Sequence, residues 1–140
     1  MAARVRRVRR PGQAPRTSSA ASIRVVLSTV PPRSADRIAT ALVTSRLAAC
    51  VNVIRGVSGV YRWQARVERA RETLLVAKVA KRDVAAFVAR LAQEHPYELP
   101  EILVVRPEAG LSAYVRWVVE SGGSGGRRNR RDRAHLGRST

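Results

Sequence analysis

The chain is short of aromatic residues, with two Trp, three Tyr and one Phe among 140 positions. Its core must therefore be built largely from Val, Ala, Leu and Ile, and a chain of this length with 45% hydrophobic residues supports one domain. A single cysteine, Cys50, excludes an internal disulfide, so the fold needs none, as suits a reducing compartment. No stretch approaches the roughly 18–20 consecutive apolar residues of a spanning helix. The expectation is a soluble, cytoplasmic protein with no membrane partner. The chain also has no P-loop, no G-x-G-x-x-G and no C-x-x-C, so neither nucleotide nor dithiol chemistry is signalled.

Acidic residues are scarce too. The chain carries 27 Lys and Arg against ten Asp and Glu, a net charge of +17. That total suggests a nucleic-acid binder until its distribution is read. Residues 1–20 hold six Arg and no acid, and residues 121–140 hold six Arg against Asp132, so the two ends carry most of the excess. Both ends are rich in Arg, Gly, Ser and Pro and nearly free of large apolar side chains, a composition that cannot bury enough surface to fold. They are expected to be disordered tails, 1–21 and 122–140, flanking one domain over 22–121. Their arginines would hold nucleic acid only non-specifically, through the sequence-independent phosphate attraction. The first tail also has the Arg-rich, acid-free makeup of a transit peptide, which makes organelle import the alternative to a cytoplasmic location.

Between the tails, periodicity orders the elements. Residues 22–30, SIRVVLSTV, are a short β-branched run ended by Pro31-Pro32, since proline cannot continue a ladder. From Ser34, a plausible N-cap, Ala35, Ile38, Ala39, Leu42, Val43 and Leu47 form one stripe of a helix. Residues 50–55 and 57–68 read as strand, with a bulge or bend expected at Gly56 and Gly59. A charged turn, ERAR (68–71), then leads into the strand 72–80, making a long hairpin. Asp83 caps a second helix with the stripe Val84, Phe87, Val88, Leu91, Ala92 and His95, stopped by Pro96. Residues 101–105 form a fourth strand, and Ser112 caps a last helix with Leu111, Tyr114, Val115, Val118 and Val119 inward.

The order β-α-β-β-α-β-α contains two crossovers that must be right-handed, which favours the α+β, ferredoxin-like split βαβ sandwich with both main helices on one sheet face. The other face is then left without a cover. One side of the hairpin, presenting Val57, Tyr61, Trp63 and Val67, is too apolar to leave in water, so a partner chain is expected to cover it.

The segments SRLAACVNVIRGVSGVYRW, TLLVAKVAK, EHPYELPEILVV and YVRWVVES, in this order, resemble the CutA divalent-cation-tolerance family across nearly all of 22–121. The combination of L-A-A-C-V-N, Y-x-W and H-P-Y-E-x-P-E is far more specific than any one motif; the tails have no counterpart. The resemblance implies a ferredoxin-like subunit assembled as a homotrimer through its sheets, similar in architecture to the PII signalling proteins. It also implies a non-enzymatic role in divalent metal-ion tolerance or response, with signalling through clefts between subunits. After Tyr61-Arg62-Trp63 most relatives carry a Glu-Gly or similar turn, whereas Gln64-Ala65-Arg66 stands here. If that acid helps bind cations in relatives, it cannot do so in this chain.

Cys50 has three readings. The bland one is a small apolar residue packed at a helix-to-strand join. The second comes from the resemblance alone: some members bind copper through two cysteines and a histidine, at positions matched here by Ser28, Cys50 and Glu94, with His95 next door. One of three ligands survives, so no cofactor is required, and copper or another divalent cation is expected to bind weakly at most. The third, nucleophilic catalysis, needs a base within reach, and only His95 and His135 exist. Packing is the favoured reading.

A second polar constellation is Trp63, Lys78, Tyr97, Glu98 and Glu101. Pro96 and Pro100 fix an extended loop around Tyr97 and Glu98. Its carboxylates either face a ligand in a cleft, of unknown identity, or pair with Lys78 or an Arg across a subunit contact. Two other functions stay open: RNA binding, against which strands one and three lack the paired exposed Phe/Tyr pattern, and a small-molecule enzyme with Glu98 as general base, for which no nucleophile or cofactor motif is visible.

Overall fold

A computed structural model describes residues 14–123. Its elements in chain order are β1 (Thr17–Ser19), β2 (Ile23–Val30), α1 (Ala35–Thr44), β3 (Cys50–Trp63), β4 (Arg66–Ala80), α2 (Val84–Glu94), β5 (Leu103–Val105), β6 (Ala109–Leu111) and α3 (Ser112–Ser121), with a 3₁₀ turn before each of α1 and α2. The main sheet has the antiparallel order β3-β4-β2-β5. This is the split βαβ topology expected from the element order.

Strand alternation explains the layers. Val26, Ser28 and Val30 on β2 and Leu75, Ala77 and Val79 on β4 point to one side, where Ile38, Ala39 and Leu42 of α1 and Phe87 and Leu91 of α2 close a single apolar core. The intervening residues, among them Val25 and Leu27 of β2 and Leu74, Val76 and Lys78 of β4, point to the other side of the sheet. Cover on that side comes from α3 at one end: Val115 and Val118 bury Ala20 and Ile23, with Ala49, Tyr114 and Val119 packed around them. Farther along, Ile54, Leu103 and Val105 remain substantially exposed.

Several expectations change. Residues 17–19, assigned to the first tail, form β1, which pairs with β6, itself absent from the sequence reading. Both are largely exposed three-residue strands, too short to show a period, yet Ala20, which follows β1, is fully buried. The rest of the expected tails, residues 1–13 and 124–140, lies outside the described residues. The fourth strand is confined to 103–105. Leu111, not Ser112, precedes the first turn of α3, and Leu111 is exposed rather than inward. Val43 and Ala92 also face outward. Ser34 and Asp83 do sit at the N-cap positions, but neither side chain makes a capping hydrogen bond.

The hairpin differs most from expectation. Its turn lies at Gln64-Ala65, with φ of 47° and 65°, and ERAR is continuous strand. Two central residues with positive φ match the type I′ loop that fits strand twist. A bulge falls between Ile54 and Val57, with Gly56 at φ 73°, as anticipated there; Gly59 continues the ladder. The relocated turn changes the parity of β4. Val67 stands opposite Arg62, on the reverse side from Val57, Tyr61 and Trp63. Beyond Thr73 the two strands pair only with each other, so 57–63 and 66–72 project as a two-stranded ribbon, a form marginal in water without further cover.

Candidate functional site

Where the ribbon leaves the sheet, five residues form a connected chain. Pro96 holds His95 in extended backbone, with ψ 128°, and thereby ends α2. The His95 ring is buried, 7% exposed, with Nε2 2.9 Å from the Thr29 carbonyl and Nδ1 accepting from the Tyr97 N–H at 3.2 Å. Those two partners fix the tautomer, with the proton on Nε2 donated to Thr29. The His95 and Tyr97 rings lie 4.9 Å apart, and Tyr97 Oη donates to Glu72 Oε1 at 3.0 Å. Thr29 serves twice, since its hydroxyl donates to Glu101 Oε2 at 3.1 Å.

Around this chain opens a cleft of about 730 Å³ between the ribbon and the 96–101 loop, lined by Val57, Tyr61, Trp63, Glu72, Tyr97, Glu98 and Glu101 among others. Glu72 is its most enclosed carboxylate, 9% exposed. A Cβ on Gly59 would sit 2.8 Å from Glu72 Oε2, so a glycine just past the bulge on β3 leaves the carboxylate its room. Burial, and then the bond to Glu72, push the Tyr97 hydroxyl up to about 12. Tyr97 therefore stays a donor throughout the physiological range.

Of the five cleft residues expected from the sequence, Trp63, Tyr97, Glu98 and Glu101 meet in this cleft. Lys78 does not. It lies toward the far end of the sheet, bonded to Asn52 Oδ1 and opposite Cys50. Within the chain, then, neither Glu98 nor Glu101 pairs with Lys78. The sequence reading missed Glu72 and Thr29. Glu72 opens the expected strand 72–80 and shares the face of Leu74 and Val76, but an acid at the end of a charged run carries no motif that would single it out.

The residues proposed as metal ligands are not brought together. Ser28 faces the helices and is fully buried, whereas Cys50, opposite Lys78, faces the other side of the sheet. Cys50 is partly buried, with Sγ 3.7 Å from Tyr114 Oη. Glu94 accepts from Arg37 at 2.7 Å and from Arg90 at 3.0 Å; the bonds from Arg90 and then Arg37 hold its carboxyl below the usual range. His95 is committed as described. It bonds Thr29, which is four positions along β4 from the level of Cys50, about 13 Å at strand rise. Among the described residues no group of three or more His, Cys, Asp or Glu side chains converges to hold a metal ion, so the copper set implied by the resemblance does not fit. Nor, among those residues, is any helix long and apolar enough to cross a membrane.

The comparisons with known proteins agree with the topology. The Thermus thermophilus "Divalent-cation tolerance protein CutA" is 41% identical over 100 residues, which cover 71% of this chain and 97% of that protein. The Oryza sativa "Protein CutA 1, chloroplastic" is 32% identical over 106 residues, covering 75% of this chain and 60% of the relative. Among solved structures, the "PII-like protein CutA" of Nostoc sp. PCC 7120 in apo form superposes with a TM-score of 0.70 at 30% identity, covering 73% of this chain and 99% of that one. The family model described as "CutA1 divalent ion tolerance protein" matches residues 24–121, and with the split βαβ sheet and its long ribbon this places the chain in the CutA1 divalent ion tolerance family.

Proposed function

We propose that the protein is a non-enzymatic homotrimer serving divalent-cation tolerance, in which a ligand entering the ribbon cleft is the signal. The observation that carries this reading is the uncovered sheet face. Leu103 is 53% exposed and Ile54 and Val105 nearly as much, all on the side of the sheet away from α1 and α2. An apolar surface of that extent on a small domain calls for a partner, and a closed ring of identical chains supplies one without leaving an edge. The non-enzymatic part rests on the cleft's chemistry: the hydroxyls that its carboxylates bond, Thr29 and Tyr97, are tied into the scaffold through His95, and that imidazole is itself committed to the Thr29 carbonyl and the Tyr97 N–H. No resident cofactor is proposed, and copper would bind Cys50 adventitiously. The unpaired thiol favours the cytoplasm, and nucleic acid would meet only the basic ends.

The test joins assembly to phenotype. Static light scattering of the full chain at micromolar concentration should give three times the chain mass. Leu103→Arg should give a folded monomer, and a host relying on that variant should lose tolerance of raised copper or zinc salts. A monomeric wild-type protein, or full tolerance conferred by the monomeric variant, would remove the reading.

A further inference from the structure

The cleft's charge runs against that of the rest of the chain. Three of the chain's ten acidic residues, Glu72, Glu98 and Glu101, line it, and among the described residues no Lys or Arg does; Arg33 acts on Tyr97 from outside the lining. Glu72 is nine-tenths buried, and while Oε1 takes the Tyr97 hydrogen bond, Oε2 has no hydrogen-bond partner among the described residues and lies over Gly59 inside the cleft. A carboxylate oxygen on the cleft wall with no partner in its own chain is open to a cationic group from outside. Glu98 has no hydrogen-bond or ion partner among the described residues, and Glu101 has only the Thr29 hydroxyl.

The kind of cation follows from what lies between the carboxylates. They do not converge on a point where one metal ion could take all three. The surface separating them is apolar and aromatic: Val57, Tyr61, Trp63, Tyr97 and Leu99. Aromatic faces attract ammonium groups through the ring quadrupole, and methylene stems pack on such surfaces while their charged heads reach outward. The cleft's volume lies within the range of sites for small organic molecules. We infer that it binds a linear aliphatic polyamine, with ammonium groups at Glu72 and at the Glu98–Glu101 loop and the methylene chain laid across Trp63 and Tyr61. This rests on the reading of the cleft as the signal site and supplies its ligand class. The chain's net +17 opposes a polycation at long range, so any binding must come from this local acidic surface and not from general charge attraction.

The experiment is calorimetric titration of the full chain with spermidine at low ionic strength, with magnesium chloride and the monoamine butylamine as parallel arms. One spermidine should bind per chain, with butylamine weaker by tenfold or more and magnesium unable to displace it. Glu72→Gln and Glu98→Gln should each weaken spermidine about tenfold, the scale of one charged hydrogen bond, and Trp63→Leu severalfold. Glu98 sits on an exposed loop, so its variant keeps the test valid if Glu72→Gln fails to fold. Absence of spermidine heat at millimolar concentration, affinity unchanged in Glu98→Gln, or one-for-one displacement by magnesium would each overturn the inference. So would binding that appears only after residues 1–13 and 124–140 are removed, because the arginines of the ends would then be the occupant. Light scattering on the same samples separates the two claims: a trimer that ignores spermidine sinks the polyamine alone, and a monomer sinks the assembly alone.

Discussion

The two ends of the sheet treat polar groups in opposite ways. Under α3, polar side chains find partners within the chain: Lys78 bonds Asn52, and Cys50 meets Tyr114 above Ile23 and Ala20, both buried. At the ribbon end the scaffold is equally well tied, through Thr29, His95 and Tyr97, but the tie ends on carboxylates with capacity left over. A hydrogen-bond network that positions groups without satisfying them is what a binding site needs before its ligand arrives. The difference identifies the ribbon end as the part completed from outside and the α3 end as the part completed by folding.

The largest effect that separates the helix-covered core from the ribbon is in packing. Phe87, 1% exposed between α2 and the sheet, should cost about 3–5 kcal/mol when cut to alanine. Val67, 65% exposed on the ribbon's reverse side, should tolerate serine within about 0.5 kcal/mol. Urea unfolding of both variants at one fixed protein concentration makes the comparison. A Val67→Ser cost near that of Phe87→Ala would mean that the reverse side of the ribbon is also covered in the assembled protein.

What could be read from the sequence divides along the same line. The helix-covered core was legible because its signals are periodic: the stripes through Ile38 and Leu42 and through Phe87 and Leu91 survive in the structure, as do the stops at Pro31 and Pro96. The ribbon was legible as a hairpin but not in register. Its turn uses Gln64 and Ala65 at positive φ, without the Asn or Gly that normally marks such a loop, so the charged ERAR segment drew the assignment instead. Misplacing the turn set Val67 on the wrong side, while Glu72, at the start of the expected strand, carries no motif to single it out. The pairing of β1 with β6 left no periodic trace, being two three-residue strands, Thr-Ser-Ser against Ala-Gly-Leu, too short to show an alternation. In the site, the aromatic and acidic members announced themselves through Y-x-W and H-P-Y-E-x-P-E. Thr29 and Gly59, which act through a carbonyl, a hydroxyl and a missing Cβ, carry no such signature.

A smaller effect sharpens the ribbon end itself. Tyr97→Phe removes the donor to Glu72 and should cost about 1–2 kcal/mol near neutral pH, the range of a partly exposed hydrogen bond to a charged group. Its pH signature is distinctive. Because the folded Tyr97 hydroxyl is raised from 10.0 to about 12, the folded state holds this proton more tightly than the unfolded chain. Its contribution is fully present below pH 10 and fades as pH rises through 12. The gap in stability between wild type and Tyr97→Phe should therefore narrow along that alkaline limb. A gap that stays constant from neutral pH to the alkaline limit would show that the hydroxyl is not held by Glu72 in solution.

The smallest effect belongs to the closed end and to the chain's one thiol. Cys50 lies on the sheet face that α3 covers, directly opposite Lys78, with the Tyr114 hydroxyl as its polar neighbour. Removing the sulfur leaves a gap about the size of one atom and forfeits one weak hydrogen bond, so Cys50→Ala should cost no more than about 1 kcal/mol. Since Ser28 faces away and Glu94 and His95 are committed elsewhere, the substitution should leave the protein's metal content as it was. A second ligand would have to come from outside the set the sequence suggested, and a lone, half-buried thiol beside an ammonium group is a poor place to hold a cation. Thermal unfolding and a Cu(I) titration of the reduced protein check both halves. One ion held per chain and lost in Cys50→Ala would make this end a binding site as well, and the contrast between the two ends would disappear.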